Sequence, residues 1–78
     1  MNVERRLSEV VSSVFGVDPG ELTADASPKT IEAWDSVGHL QLMLAIEAEF
    51  GLQFTPDEMA AFTTLGAIRS RLEEAIGA

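Results

Sequence analysis

Asp35, Ser36 and His39 bring a carboxylate, a hydroxyl and an imidazole within five positions, the residue types of a nucleophilic triad. A triad also needs a base oriented by a separate scaffold, an oxyanion pocket and a substrate cleft, and a chain of 78 residues has no room for them. Catalysis by these three is therefore not expected, and His39 is expected near the core mouth or on the surface. The Asp-Ser pair suggests a different chemistry. It stands at the junction of a loop and a helix, where unpaired backbone N–H groups and the positive end of the helix dipole favour an anion. A phosphate ester on Ser36 Oγ suits that position, provided that Asp35 turns away or holds the cap itself. The competing reading is plain capping, since Ser and Asp are common N-cap residues. With one His, no Cys and scattered acids, no spacing suggests a metal site or a disulfide.

The elements around this junction are helical. Asn2 can cap a first helix with apolar residues at Val3, Leu7, Val10, Val11 and Val14, and Gly16 ends it. From Val17 to Trp34 no period survives; Asp18-Pro19-Gly20 and Ser27-Pro28 mark turns. Loops of this length are usually disordered or functional. Leu22, Ile31 and Trp34 give this one anchors, so an ordered loop with a partly buried Trp34 is expected. Asp35 or Ser36 then caps a second helix running to about Phe50, stopped by Gly51. Thr55-Pro56-Asp57-Glu58 joins a capping Thr, a Pro at the first helical position and a Glu three residues after the cap, and it starts a short third helix. Thr63-Thr64 opens a fourth, with Leu65, Ile68, Leu72 and Ile76 on one face and Gly77 as its stop. No segment alternates over a strand's length. The predicted fold is all-α, a small bundle of three main helices and one short one, with a long ordered loop between the first two, in a single domain over residues 1–78.

The second helix is apolar on two sides. At ~100° per residue, Leu42, Met43, Ile46 and Phe50 form a core face, while Val37, Leu44 and Ala48 stand roughly opposite, with Leu40 at the edge and Gln41 among them. One stripe should be exposed in so small a bundle. Flanked by Asp35, Glu47 and Glu49, it reads as a docking strip; the alternative is a central helix that buries both faces.

Charge placement agrees with docking. The net charge is −8, and both ends of the chain are neutral. Asp18, Glu21, Asp25, Glu32, Asp35, Glu47, Glu49, Asp57 and Glu58 oppose a single base, Lys29, in the middle. Such a field repels phosphate backbones, so nucleic-acid binding is not expected, and it attracts basic protein surfaces, although acids also serve simply to keep a small domain soluble. No apolar run reaches the ~20 residues of a bilayer span, and no secretory leader is recognisable. A cytoplasmic monomer without membrane insertion is expected.

The pattern Trp34-Asp35-Ser36-Val37-Gly38-His39-Leu40, followed by Ala45-Ile46-Glu47-Ala48-Glu49-Phe50-Gly51, resembles the acyl carrier protein family. The resemblance covers almost the whole chain, through the long loop, Thr55-Pro56-Asp57-Glu58 and Thr63-Thr64-Leu65. It implies that Ser36 carries a 4'-phosphopantetheine arm, transferred from coenzyme A by a separate magnesium-dependent phosphopantetheinyl transferase, with Asp35 as a flanking recognition residue. Acyl or aminoacyl groups would ride on the arm's thiol as thioesters, and the chain itself would not catalyse. Loading enzymes, ketosynthases and other thioester-processing enzymes with basic rims would dock on Val37, Gln41, Leu44, Glu47, Ala48 and Glu49. Some positions depart from the family's pattern. Val37 replaces the usual Leu, Gly38 carries a helix penalty of ~1 kcal/mol relative to Ala, His39 stands where small polar residues are more familiar, and Gln41 and Ala48 take places that are often Glu. These point away from the housekeeping fatty-acid carrier and toward a freestanding carrier of a polyketide, hybrid peptide or other specialised pathway. The rival to a carrier is an acidic helical adaptor that is never modified.

Overall fold

The computed structural model describes residues 2–77. Four helices follow in order: α1 (Val3–Phe15), α2 (Ser36–Phe50), α3 (Pro56–Ala61) and α4 (Leu65–Ile76). Among the described residues there is no strand, so the all-helical reading holds. Each helix begins on the polar side chain that the sequence offers. Asn2 accepts from the Arg5 N–H, Asp35 from Gly38, Thr55 from Glu58 and Thr64 from Ala67. Thr55 and Glu58 complete a reciprocal capping box. Gly16, Gly51 and Gly77 end α1, α2 and α4 with φ of 68°, 66° and 72°, a left-handed turn that glycine adopts without strain.

The core lies where α1, α2 and α4 face one another. Val11, Leu42, Met43, Ile46, Ile68 and Leu72 are fully buried in it. On α1 the buried series is Val3, Leu7, Val11 and Phe15, with Val10 and Val14 only partly covered. Phe15 continues the i, i+4 repeat that the other three begin, and it packs against the Trp34 ring with centroids 5.6 Å apart.

The long loop is ordered by its own contacts. Asp18 caps a single 3-10 turn at Pro19–Glu21. Ala26 and Ile31 are buried and Leu22 is partly so. The carbonyls of Ala26 and Ala24 accept from the Leu65 and Gly66 N–H groups at 3.0 and 2.8 Å, which ties the loop to the start of α4. Trp34 is deeper than the sequence suggests. It is 1% exposed rather than partly buried, because Phe15 covers one side of the indole and its N–H has a partner inside the protein.

Candidate functional site

Asp35 has extended backbone angles and is the N-cap of α2, whereas Ser36 is the first helical residue. The Asp35 carboxylate accepts from the Gly38 N–H at 2.8 Å and so takes the capping role. That leaves the serine hydroxyl free of it. Ser36 is exposed, and among the described residues its Oγ makes no hydrogen bond, nor is the N–H of Ser36 or Val37 claimed by another group. A hydroxyl therefore faces solvent beside two unpartnered amides at the positive end of a 15-residue helix. A phosphodiester fits this arrangement: its charge meets the helix terminus, and no internal bond must break to form it.

Two neighbours hold the junction in place. Trp34 is locked in the core immediately before Asp35. Gly38, costly by helix propensity, is explained by contact: a Cβ there would lie 2.1 Å from the Ala33 carbonyl oxygen and 3.1 Å from the Phe15 ring. Only the absence of a side chain lets the loop pass so close to the first turn of α2.

His39 is half-buried and fully engaged. The Trp34 Nε1–H donates to its Nδ1 at 2.9 Å, and its Nε2 lies 2.7 Å from the Met59 carbonyl oxygen. With one nitrogen on the indole and the other on α3, the imidazole has none left to take a proton from Ser36, which removes the triad. Met59 escapes sequence reasoning because it acts through its backbone. An open groove of about 580 Å³ runs past Ser36, lined by Pro28, Trp34, Asp35, His39, Ala60, Phe62 and Thr63.

Along α2 the structure separates the two stripes. Leu42, Met43 and Ile46 are buried, and Val37, Leu40 and Leu44 are 66%, 55% and 55% exposed. Gln41 and Ala48 are exposed with them. The acids behave differently. Glu47 is half-buried and accepts from the Phe54 N–H at 2.7 Å, and Glu49 pairs with Arg6, whose guanidinium also lies over the Phe50 ring at 5.3 Å. The strip is thus apolar at its centre, and its three flanking acids, Asp35, Glu47 and Glu49, each have a partner within the chain.

Comparison with known proteins shows the family. The family model described as a phosphopantetheine attachment site matches residues 5–72. Acyl carrier protein 2 of Pseudomonas aeruginosa is 28% identical over 75 residues, which are 96% of this chain and 95% of that protein. A four-helix bundle presenting a free serine at the start of its second helix, matched over most of its length, belongs to the phosphopantetheine-binding family of acyl carrier proteins, non-catalytic carriers with a covalently attached 4'-phosphopantetheine.

Proposed function

We propose that Ser36 Oγ is the attachment atom and that residues 1–78 act as one carrier unit, which holds acyl or aminoacyl intermediates and presents them to successive enzymes. The observation that carries the assignment is the free Ser36 hydroxyl at the first position of α2 while Asp35 does the capping. When bound, the group supplies a terminal thiol on a flexible arm, where cargo is held as a thioester. This chain's residues supply the mounting. Asp35 keeps the hydroxyl free, the Ser36 and Val37 amides and the helix terminus favour the phosphodiester charge, and buried Trp34 with Gly38 fixes the junction.

Tethering raises the effective concentration of cargo at each partner's active site. Val37, Gln41, Leu44 and Ala48, with Leu40 beside them, form the docking strip, and Glu47 and Glu49 border it. The net charge of −8 draws partners with basic rims, a phosphopantetheinyl transferase first and thioester-processing enzymes after it. The departures at Val37, Gly38, His39, Gln41 and Ala48 favour a specialised pathway, polyketide or hybrid peptide among them. Because coenzyme A is the donor of the arm, the cytoplasm is the proposed place of action.

Incubating the chain with coenzyme A, magnesium and a broad-specificity phosphopantetheinyl transferase, then measuring intact mass, tests this. Wild type should gain one phosphopantetheinyl group and Ser36→Ala none. An unchanged wild-type mass would favour the unmodified adaptor, and modification of Ser36→Ala would move the attachment elsewhere.

A further inference from the structure

α3 has six residues and none of them is buried. So short a helix does not hold itself together in water. Its flanks are anchored, because Phe54 and Phe62 are buried and meet edge to face at 5.1 Å. Between these anchors two polar contacts reach α3 from two other helices. Arg71 of α4 donates to the Glu58 carboxylate at 2.5 Å, and His39 of α2 meets the Met59 carbonyl. The His39 contact stands on the side of Ser36, since His39 and Ala60 line the groove into which Ser36 opens.

The His39 contact admits one protonation state. An indole N–H only donates and a backbone carbonyl only accepts. The ring between them must therefore be neutral, with its proton on Nε2 and a lone pair on Nδ1. The Trp34 and His39 ring planes are 12° apart with centroids 6.1 Å from each other, and the Nε1–Nδ1 distance of 2.9 Å is that of a hydrogen bond. A second proton on Nδ1 would set N–H against N–H, and the other neutral tautomer, protonated on Nδ1, would do the same while setting a bare Nε2 lone pair against the Met59 oxygen.

We propose that His39 is a positioning residue: its neutral, Nε2-protonated ring pins α3 to α2 beside Ser36, and protonation of that ring frees the Trp34 N–H and loosens α3 as a wall of the groove. The charged groups on the surrounding elements are occupied elsewhere or exposed. Asp35 shares the groove but is bonded to the Gly38 N–H, Glu47 holds the Phe54 N–H, Glu58 is turned to Arg71 and Thr55, and Asp57 is exposed. None of these carboxylates bonds the ring.

The test uses the unmodified full chain, so it stands whether or not Ser36 can be loaded. The ¹⁵N shifts of the imidazole, the emission of Trp34 and amide exchange over residues 56–62, corrected for intrinsic rates, are followed from about pH 8 downward until the ¹⁵N shifts report the second proton on the ring. At the upper end the shifts should report a neutral ring protonated on Nε2. As it takes the second proton, Trp34 emission should change with the same midpoint and α3 protection should fall about fivefold or more, while α1 protection holds. In His39→Gln, whose amide can accept from Trp34 and donate to Met59, both signals should stay flat with pH. A ring protonated on Nδ1 when neutral, or α3 protection indifferent to the ring's charge, would each overturn the proposal, as would an unchanged pH response in the Gln variant.

Discussion

Gly38 shows how one atom can reverse an expectation drawn from local preference. Counting propensity alone, Gly38→Ala should stabilise α2 by ~1 kcal/mol. With the Ala33 carbonyl and the Phe15 ring where the methyl would go, it should instead destabilise by about 1–3 kcal/mol, read by urea denaturation; a gain in stability would show that the loop yields easily. Asp35→Ala should cost about 1 kcal/mol by the same measurement, through loss of the bond to the Gly38 N–H. Of these residues, the cap was legible as a pair. Which of Asp35 and Ser36 takes it was not, because both carry a suitable oxygen and only the backbone angles decide. The partners of His39 were hidden for another reason. Met59 lies 20 residues away and contributes a carbonyl, which every residue has and no side chain advertises.

At the scale of the element, α2 and α3 depend on their acids in different ways. Leu44→Arg should leave the helical circular dichroism unchanged, since Leu44 is exposed, and should slow loading of Ser36 by the transferase several-fold; loss of folding would contradict the exposure. Glu47→Ala should lower stability by about 1–2 kcal/mol in chemical denaturation, because the Phe54 N–H loses its acceptor. Glu58 is held below its ordinary value of 4.5, first by the hydrogen bond from Arg71 and then by the Thr55 N–H. The folded state thus binds this proton less tightly than the unfolded chain. Its stabilising contribution is complete above about pH 4.5 and is lost as pH falls through the depressed value. A comparison of melting temperatures should find wild type above Glu58→Gln near neutrality and the difference shrinking on acidification. Caps, glycine stops and the two stripes of α2 were readable because each is set by a few adjacent residues or by one helical period. The engagement of Glu47 was not, since its partner follows the Gly51 turn.

For the molecule as a whole, the core of α1, α2 and α4 follows from periodicity, and so does the bundle. The long loop was legible only through its apolar anchors, and the depth of Trp34 depended on tertiary contact with Phe15. The charge of −8 acts at long range, where salt screens it within ~10 Å at 0.1 M. Transferase loading of Ser36 should therefore slow as sodium chloride rises, while Leu44→Arg remains impaired at every salt concentration; a rate indifferent to salt would leave the acids with solubility as their role. The join between the loop and α4 reaches further than the site itself. Opening amides of a helix ordinarily trade their hydrogens with water almost freely, yet those of Leu65 and Gly66 are closed by carbonyls about forty positions upstream. Their exchange should be as slow as that of the deepest core amides, making them sentinels for rupture of the whole chain rather than for fraying of one end.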